Sequence, residues 1–540
     1  MGRTRAHSSR FVLLLALTLF AACGSFPRAD PADLVLLGGR VFTGDPDLPW
    51  AEAVAVRGEL IVAVGTDEAV RRRIHASTRV IPLEGRIVVP GINDAAVREP
   101  WEWLPAFRVE IPQDASVDEL LRLLRNAHTR APDGSWIRGQ LPVKLRDAVV
   151  GRTHLDIAAP LHPVRLDLGP YAALLNSSAL LAWEIGEREE DPPGGRYGRI
   201  VTGALDGWVF ASPILAADAR SAEEMSDATL TTAMRDFKER ALRWGITSAQ
   251  MVTTLRPRRV ERLLSEIEPS IRWRMIQLRT SPSDTTRDGR AAKVVLDGTL
   301  LERGAALLRP YSDATEERGE LSIPEEGIGH IVHEAGGSEA QLLVHAGGDA
   351  SASSLLSAMD RVDDADWPGR RLRLESADLL TARQLEAVAR LGIVVVQNPA
   401  KFTTPAIVAQ RVGRDRRGGY GRLRSILDSH APLALGSDGM LNPWLNVLSA
   451  ATHPANPAEA ITREEAVRAY TRGSAFAELE EKRKGTIAPG MLADFAVLSQ
   501  DPFTVPLADL ARTTSILTVV GGEIMWEEER TAAEQEDRDE

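Results

Sequence analysis

Residues 87–98 read I-V-V-P-G-I-N-D-A-A-V-R, and the first four form a short, continuously apolar run closed by a Pro-Gly break. Such a run has no polar face to turn toward water, so it predicts a strand covered on both sides. Seven runs of the same kind follow. They are I-T-S-A-Q-M from Ile246, W-R-M-I-Q-L from Trp273, K-V-V-L from Lys293, L-L-V-H from Leu342, L-R-L-E from Leu372, I-V-V-V-Q from Ile393 and L-A-L-G from Leu433. Each is succeeded by helix-like sequence, and eight buried strands alternating with helices predict an α/β fold, a (β/α)8 TIM barrel. Residues 99–230 are then an insertion after the first strand. They are rich in Pro and loops and carry the strand-like V-R-L-D-L from Val164 and the run A-A-L-L-N-S-S-A-L from Ala172. Insertions at that end of a barrel overlie the mouth and set substrate choice.

The flanks differ from the centre. From residue 32, apolar residues alternate with small or polar ones between Gly and Asp turns, and a similar strand-rich patch lies between Asp494 and Trp526. The first thirty residues are of another kind: Arg3, Arg5 and Arg10 precede an apolar run from Phe11 to Ala22, too short for an ordinary membrane span and typical of a secretory signal. Ala21-Ala22-Cys23-Gly24 resembles a bacterial lipobox, in which the single cysteine of the chain becomes the lipidated first residue of the mature protein. The expectation is an exported protein, lipid-anchored at the bacterial cell envelope, with residues 1–22 removed and 23–31 as a tether. Residues 527–540 are an acidic tail with nothing to bury. With 540 residues, 44% apolar content and a net charge of -12, the chain reads as a globular protein that does not take nucleic acid as a partner. Membrane contact is expected only through the lipid.

Six stretches together carry a family likeness: A-D-L-V-L-L-G-G-R-V-F-T-G-D from Ala32, A-V-A-V-R-G-E-L-I-V-A-V-G from Ala53 and D-G-T-L-L-E-R-G-A-A-L-L-R-P-Y from Asp297. The others are V-H-A-G-G-D from Val344, L-A-L-G-S-D from Leu433 and G-T-I-A-P-G-M-L-A-D-F-A-V-L from Gly485. The chain resembles the metal-dependent amidohydrolases, in the branch that contains N-substituted formamide deformylases. The resemblance implies that both chain ends, 32–86 and 485–526, meet as a small β-sandwich beside a barrel spanning 87–484. It also implies hydrolysis of non-peptide C–N bonds by a metal held at the strand ends.

The residues at those ends depart from that pattern. The family reads P-G-x-x-D-x-H-x-H after the first strand, and the two histidine positions here are Ala96 and Arg98. A methyl group has no lone pair and a guanidinium has no acceptor, so neither ligates Zn²⁺. The sixth strand supplies Ser376 where the family has histidine, and Tyr171 stands at a substrate-side histidine. Retained are Lys293, which matches a lysine carboxylated in related enzymes, His345 on the fifth strand, and Asp438 after the eighth, the position that binds metal and accepts a proton from the attacking water. Asp349 is also kept and is assigned to the pocket with Tyr171 and Ser376. His330 and His333 share a helix face but precede the fifth strand, where a helix packs outside the barrel.

Metal lowers the pKa of bound water to about 7, far below its value in bulk, and one Asp with one His offers no comparable substitute. The expectation is a weakly active or inactive member of its family, without a metal, that binds a small-molecule ligand or a partner in its barrel pocket. Arg98 would enter the vacated metal position and pair with Asp438. The alternative is an active deacylase with one zinc on His345, Asp438 and carboxylated Lys293, since three protein ligands plus water is a catalytic zinc stoichiometry. Substrate identity and oligomeric state stay open.

Overall fold

The computed structural model describes residues 31–528, apart from 103, 105, 149, 280–290 and 440. The leader, Cys23 and nearly all of the tail therefore lie outside the described residues.

Eight parallel strands form the central sheet: β1 (Ile92–Val97), β2 (Ile246–Thr253), β3 (Arg272–Leu278), β4 (Ala292–Val295), β5 (Leu342–Ala346), β6 (Arg373–Ser376), β7 (Val394–Gln397) and β8 (Leu433–Leu435). They neighbour one another in chain order from β1 to β8. The amide of Asp438 donates to the carbonyl of Ala96 at 2.8 Å, and that of Ser437 to Asp94 Oδ1 at 2.8 Å, bringing β8 back against β1. Gly436 is required at this seam, because a Cβ there would stand 2.7 Å from that of Ala96. The barrel expected from the alternation is present.

One strand is placed differently from the sequence reading. The run Ile87–Pro90 is not the first barrel strand: it pairs with Arg40–Phe42 and Phe495–Leu498 in a sheet outside the barrel. The barrel begins only at Ile92, beyond Gly91, whose Cβ would meet Thr247 Oγ1 at 2.1 Å. An apolar tetrapeptide suits the interior of either sheet, so local pattern could not decide between them.

That outer sheet has six strands, drawn from residues 40–51, 87–90 and 495–527, and it faces a four-stranded sheet from residues 34–82. Leu36, Val54, Val56, Val88, Phe495 and Val519 fill the space between them. The insertion builds a third unit, a six-stranded mixed sheet within residues 107–211. It has its own core around Leu120, Leu124, Leu166, Leu174 and Trp208. A helix from Ser212 to Glu224 leads from this sheet back over the barrel mouth.

Candidate functional site

The ends of β1, β4 and β8 open into a cavity of about 110 Å³ whose wall includes Ala96, Arg98, Tyr171, Lys293 and Asp438. Val252, Leu278 and Val295 supply its apolar side, and Leu215 and Asp218 come down from the helix above.

Arg98 follows β1 directly and turns into this cavity. Its Nε donates to Asp438 Oδ1 at 3.0 Å, and its guanidinium also reaches Glu102 Oε1 at 3.4 Å. Burial works to raise the Asp438 carboxyl, but the charges of Arg98 and then Lys293 outweigh it and hold the group far below the usual carboxylate range. The guanidinium is correspondingly raised, with Asp438 and Glu102 overcoming the burial that disfavours its charge. The two side chains remain 26% and 38% exposed, so the pair fixes geometry and charge more than it adds stability.

Lys293 forms a second ion pair, its Nζ 2.5 Å from Glu375 Oε2. Arg373 holds the other oxygen of Glu375 at 2.6 Å from within the barrel. Burial would raise Glu375, yet Lys293 and Arg373 together lower it. A third pair, Lys401 with Asp378, lies just beyond. Sequence reasoning missed Glu102, Glu375, Arg373, Asp378 and Lys401 as parts of the site. Only Glu102, four residues after Arg98, carried a local signal.

His345 is enclosed, 3% exposed, with Ser376 Oγ 3.1 Å from Nδ1 and the Tyr171 ring edge-on at 4.8 Å. Its Nε2 is buried and has no hydrogen-bond partner among the described residues. Burial first, then the charges of Lys293 and Lys401, push this imidazole down to about 3, so it is neutral across the physiological range. Ser376 and Asp438 both have positive φ, 70° and 44°. Non-glycine residues occupy that region at a cost of about 1–3 kcal/mol, usually where a side chain must be aimed.

Asp349 is not part of the pocket. It begins the helix Asp349–Met359, and its carboxylate accepts from the amide of Leu308 at 2.8 Å, fastening the loop after β4. His330 and His333 are exposed on the helix Glu325–Gly337.

These residues do not fit a catalytic zinc. Ala96 offers no donor, Arg98 occupies Asp438 Oδ1, Ser376 is bonded to His345, and Lys293 faces Glu375. Carboxylating Lys293 would set a new anion against Glu375, and leaving it unmodified keeps it, with Lys401, as one of two cations whose charge acts on His345. Among the described residues, no three His, Cys, Asp or Glu side chains are grouped to hold a metal ion.

Several carboxyls are buried near the pocket. Burial pushes Asp94 and Glu99 up to about 7, and Asp297 and Glu302 shift the same way to about 7. A carboxyl raised on folding contributes stability below its unfolded pKa and loses it as pH rises through the folded value. His345 and His453, both lowered on folding chiefly by burial, act in the opposite sense, but they are two groups against these four and against Glu102 and Asp349, which burial raises as well. The melting temperature is therefore expected to fall as pH is raised from about 5 to about 8, and Glu99→Gln should flatten the slope. Thermal denaturation followed by circular dichroism reads this, and a flat or rising profile would contradict it.

Comparison with known proteins gives a consistent result. A family model described as an amidohydrolase family matches residues 79–525. The chain is 26% identical to the N-substituted formamide deformylase of Arthrobacter pascens, over 92% of this chain and 98% of that one. It is 26% identical to protein LONG AFTER FAR-RED 3 of Arabidopsis thaliana, over 93% and 92%. Among solved structures, an uncharacterized metal-dependent hydrolase from Pyrococcus horikoshii OT3 superposes with a TM-score of 0.70 at 20% identity, covering 88% of this chain and 99% of that one.

Proposed function

Because this chain belongs to the amidohydrolase family, we propose that it is a member whose hydrolytic metal centre has been replaced by ion pairs, leaving a ligand-binding barrel pocket. The observation that carries the reading is the 3.0 Å contact between Arg98 Nε and Asp438 Oδ1. Water activation in a metal-dependent hydrolase needs a carboxylate free to take a proton and a cation that polarises the water. Here the carboxylate that matches that role is held by a guanidinium, which supplies charge but cannot bind water as a Lewis acid does. His345 adds a neutral imidazole, and Tyr171 closes the pocket from the insertion side. The arrangement suits recognition of a small polar molecule, with an amide as the class the relatives suggest.

The competing reading, one zinc on His345, Asp438 and carboxylated Lys293, draws support from the metal-dependent hydrolases that share the fold. It requires both ion pairs to open. Full-chain protein grown with zinc, dialysed and submitted to elemental analysis is expected to hold no stoichiometric metal and to leave N-acyl and N-formyl amides intact. Close to one equivalent of zinc, with hydrolysis lost in Asp438→Ala, would overturn the proposal.

Export and lipidation at Cys23 are proposed on the arginine-flanked apolar leader and the lipobox-like A-A-C-G. The mass of the mature N-terminus tests them, and an unmodified or uncleaved chain recovered from the envelope would refute them.

A further inference from the structure

The insertion and the loops after β4 enclose a second cleft of about 410 Å³, and Tyr171 lines both this cleft and the barrel pocket. Two of its arginines are arranged unusually. The Arg146 guanidinium stands 4.9 Å from the Trp208 ring and 5.8 Å from Phe210, while that of Arg196 stands 4.0 Å over Phe210. Trp208 and Phe210 are themselves stacked at 5.9 Å with 17° between their planes. The rings hold both cations by their faces, which leaves the N–H edges available for an acceptor.

Neither arginine has a carboxylate partner among the described residues, and Arg146 Nε is buried without a hydrogen bond. Arg303 on the same wall differs, being engaged by Asp147 at 2.8 Å and Asp313 at 3.1 Å. Of the acidic residues around the cleft, Glu302 accepts with both oxygens from Thr299, and Glu316, Glu317 and Glu320 are exposed at the rim, none of them within ion-pair distance of Arg146 or Arg196. Burial lowers the pKa of Arg146, and the charges of Arg303 and Arg196 work the same way while Glu317 and Asp147 oppose them without restoring it. An anion placed between the two guanidinium groups would relieve all of this at once.

We propose that this cleft receives the carboxylate or phosphate end of a ligand between Arg146 and Arg196, with the rest of the molecule running past Tyr171 into the barrel pocket. The direction of the ligand rests on the reading of that pocket as a binding site. The anion contact stands on the two arginines alone.

Calorimetric titration of the full chain with benzoate, phenyl phosphate and neutral benzamide tests it. At least one anion is expected to bind, more weakly as salt rises, and the stronger of the two identifies the preferred group. Benzamide should not show that salt dependence. Arg146→Met and Arg196→Met should each weaken the anion by about tenfold or more, with Arg196→Lys retaining part of the affinity. Arg196 is exposed, so its variants report on binding even if Arg146→Met melts early. Failure of both anions to bind, or wild-type affinity in both Met variants, would reject the cleft. Zinc-dependent hydrolysis would reject the proposed function without altering the anion result, and benzamide binding alone would leave the function standing and reject the cleft.

Discussion

Arg373→Met is expected to destabilise the protein by about 3–5 kcal/mol, the cost of removing one partner from a buried ion pair. Arg373 is fully enclosed within the barrel at 0% exposure. Its guanidinium donates to Gln250 Oε1 at 2.5 Å, to the Ala95 carbonyl at 2.6 Å and to Glu375 Oε1 at 2.6 Å, tying β6 to β1 and β2 across the interior. Methionine fills much of the volume but satisfies none of these acceptors. Glu375, 4% exposed at its side chain, would be left with Lys293 as its one ion-pair partner among the described residues. Adding Glu375→Gln should recover part of the loss, because it removes the uncompensated charge that makes the single change costly. Urea unfolding of the three proteins reads the effect, and a single-variant loss below about 1 kcal/mol would mean that Glu375 is stabilised by something other than Arg373.

The second large effect concerns the metal. Combining Ala96→His, Arg98→His and Ser376→His is expected to raise bound zinc from none to about one equivalent after dialysis, because tetrahedral zinc sites need three or four N, O or S donors. The substitutions add imidazoles at the ends of β1 and β6, remove the cation that occupies Asp438 Oδ1, and join His345, which already carries an unpartnered Nε2. Asp438 already lines the pocket, and Ser376 already stands against His345. Arg98→His alone should fall well short, since it leaves Ala96 without a donor. Elemental analysis decides the matter, with Asp438→Ala in the triple background expected to lose the metal again. A triple variant that folds and stays free of zinc would show that the barrel end has changed shape as well as side chains.

The resident ion pairs and the departures from the family motif were unequally visible in the chain. Ala96, Arg98 and Ser376 could be read as departures because the motifs around them, from P-G-x-x-D to L-A-L-G-S-D, are local and survive intact. The barrel itself was legible for the same reason: a strand buried on both faces must be apolar throughout, and that requirement is met within four to eight residues. Residues 87–90 mark the limit of this reasoning. Their composition satisfies either sheet, and only pairing with Phe495–Leu498, four hundred positions away, assigns them to the sandwich.

Asp349 shows the same limit at a single residue. A carboxylate beside the fifth strand suited a pocket by position, but its side chain turns to the Leu308 amide. Arg146 and Arg196 gave no sign at all, since an arginine near an aromatic in sequence says nothing about which ring it will cover.

The sequence by itself determined the family, the eightfold alternation of strand and helix, and which residue types stand at Ala96, Arg98 and Ser376, because each depends on residue type within a short window. Which charges meet was decided by the tertiary structure. Arg98 and Asp438 are 340 residues apart and come within 3.0 Å only where β8 closes on β1. Lys293, Arg373 and Glu375 converge because β4 and β6 flank β5. Ion pairing falls off over a few ångströms, so it is set by the closure of the barrel and cannot be read along the chain.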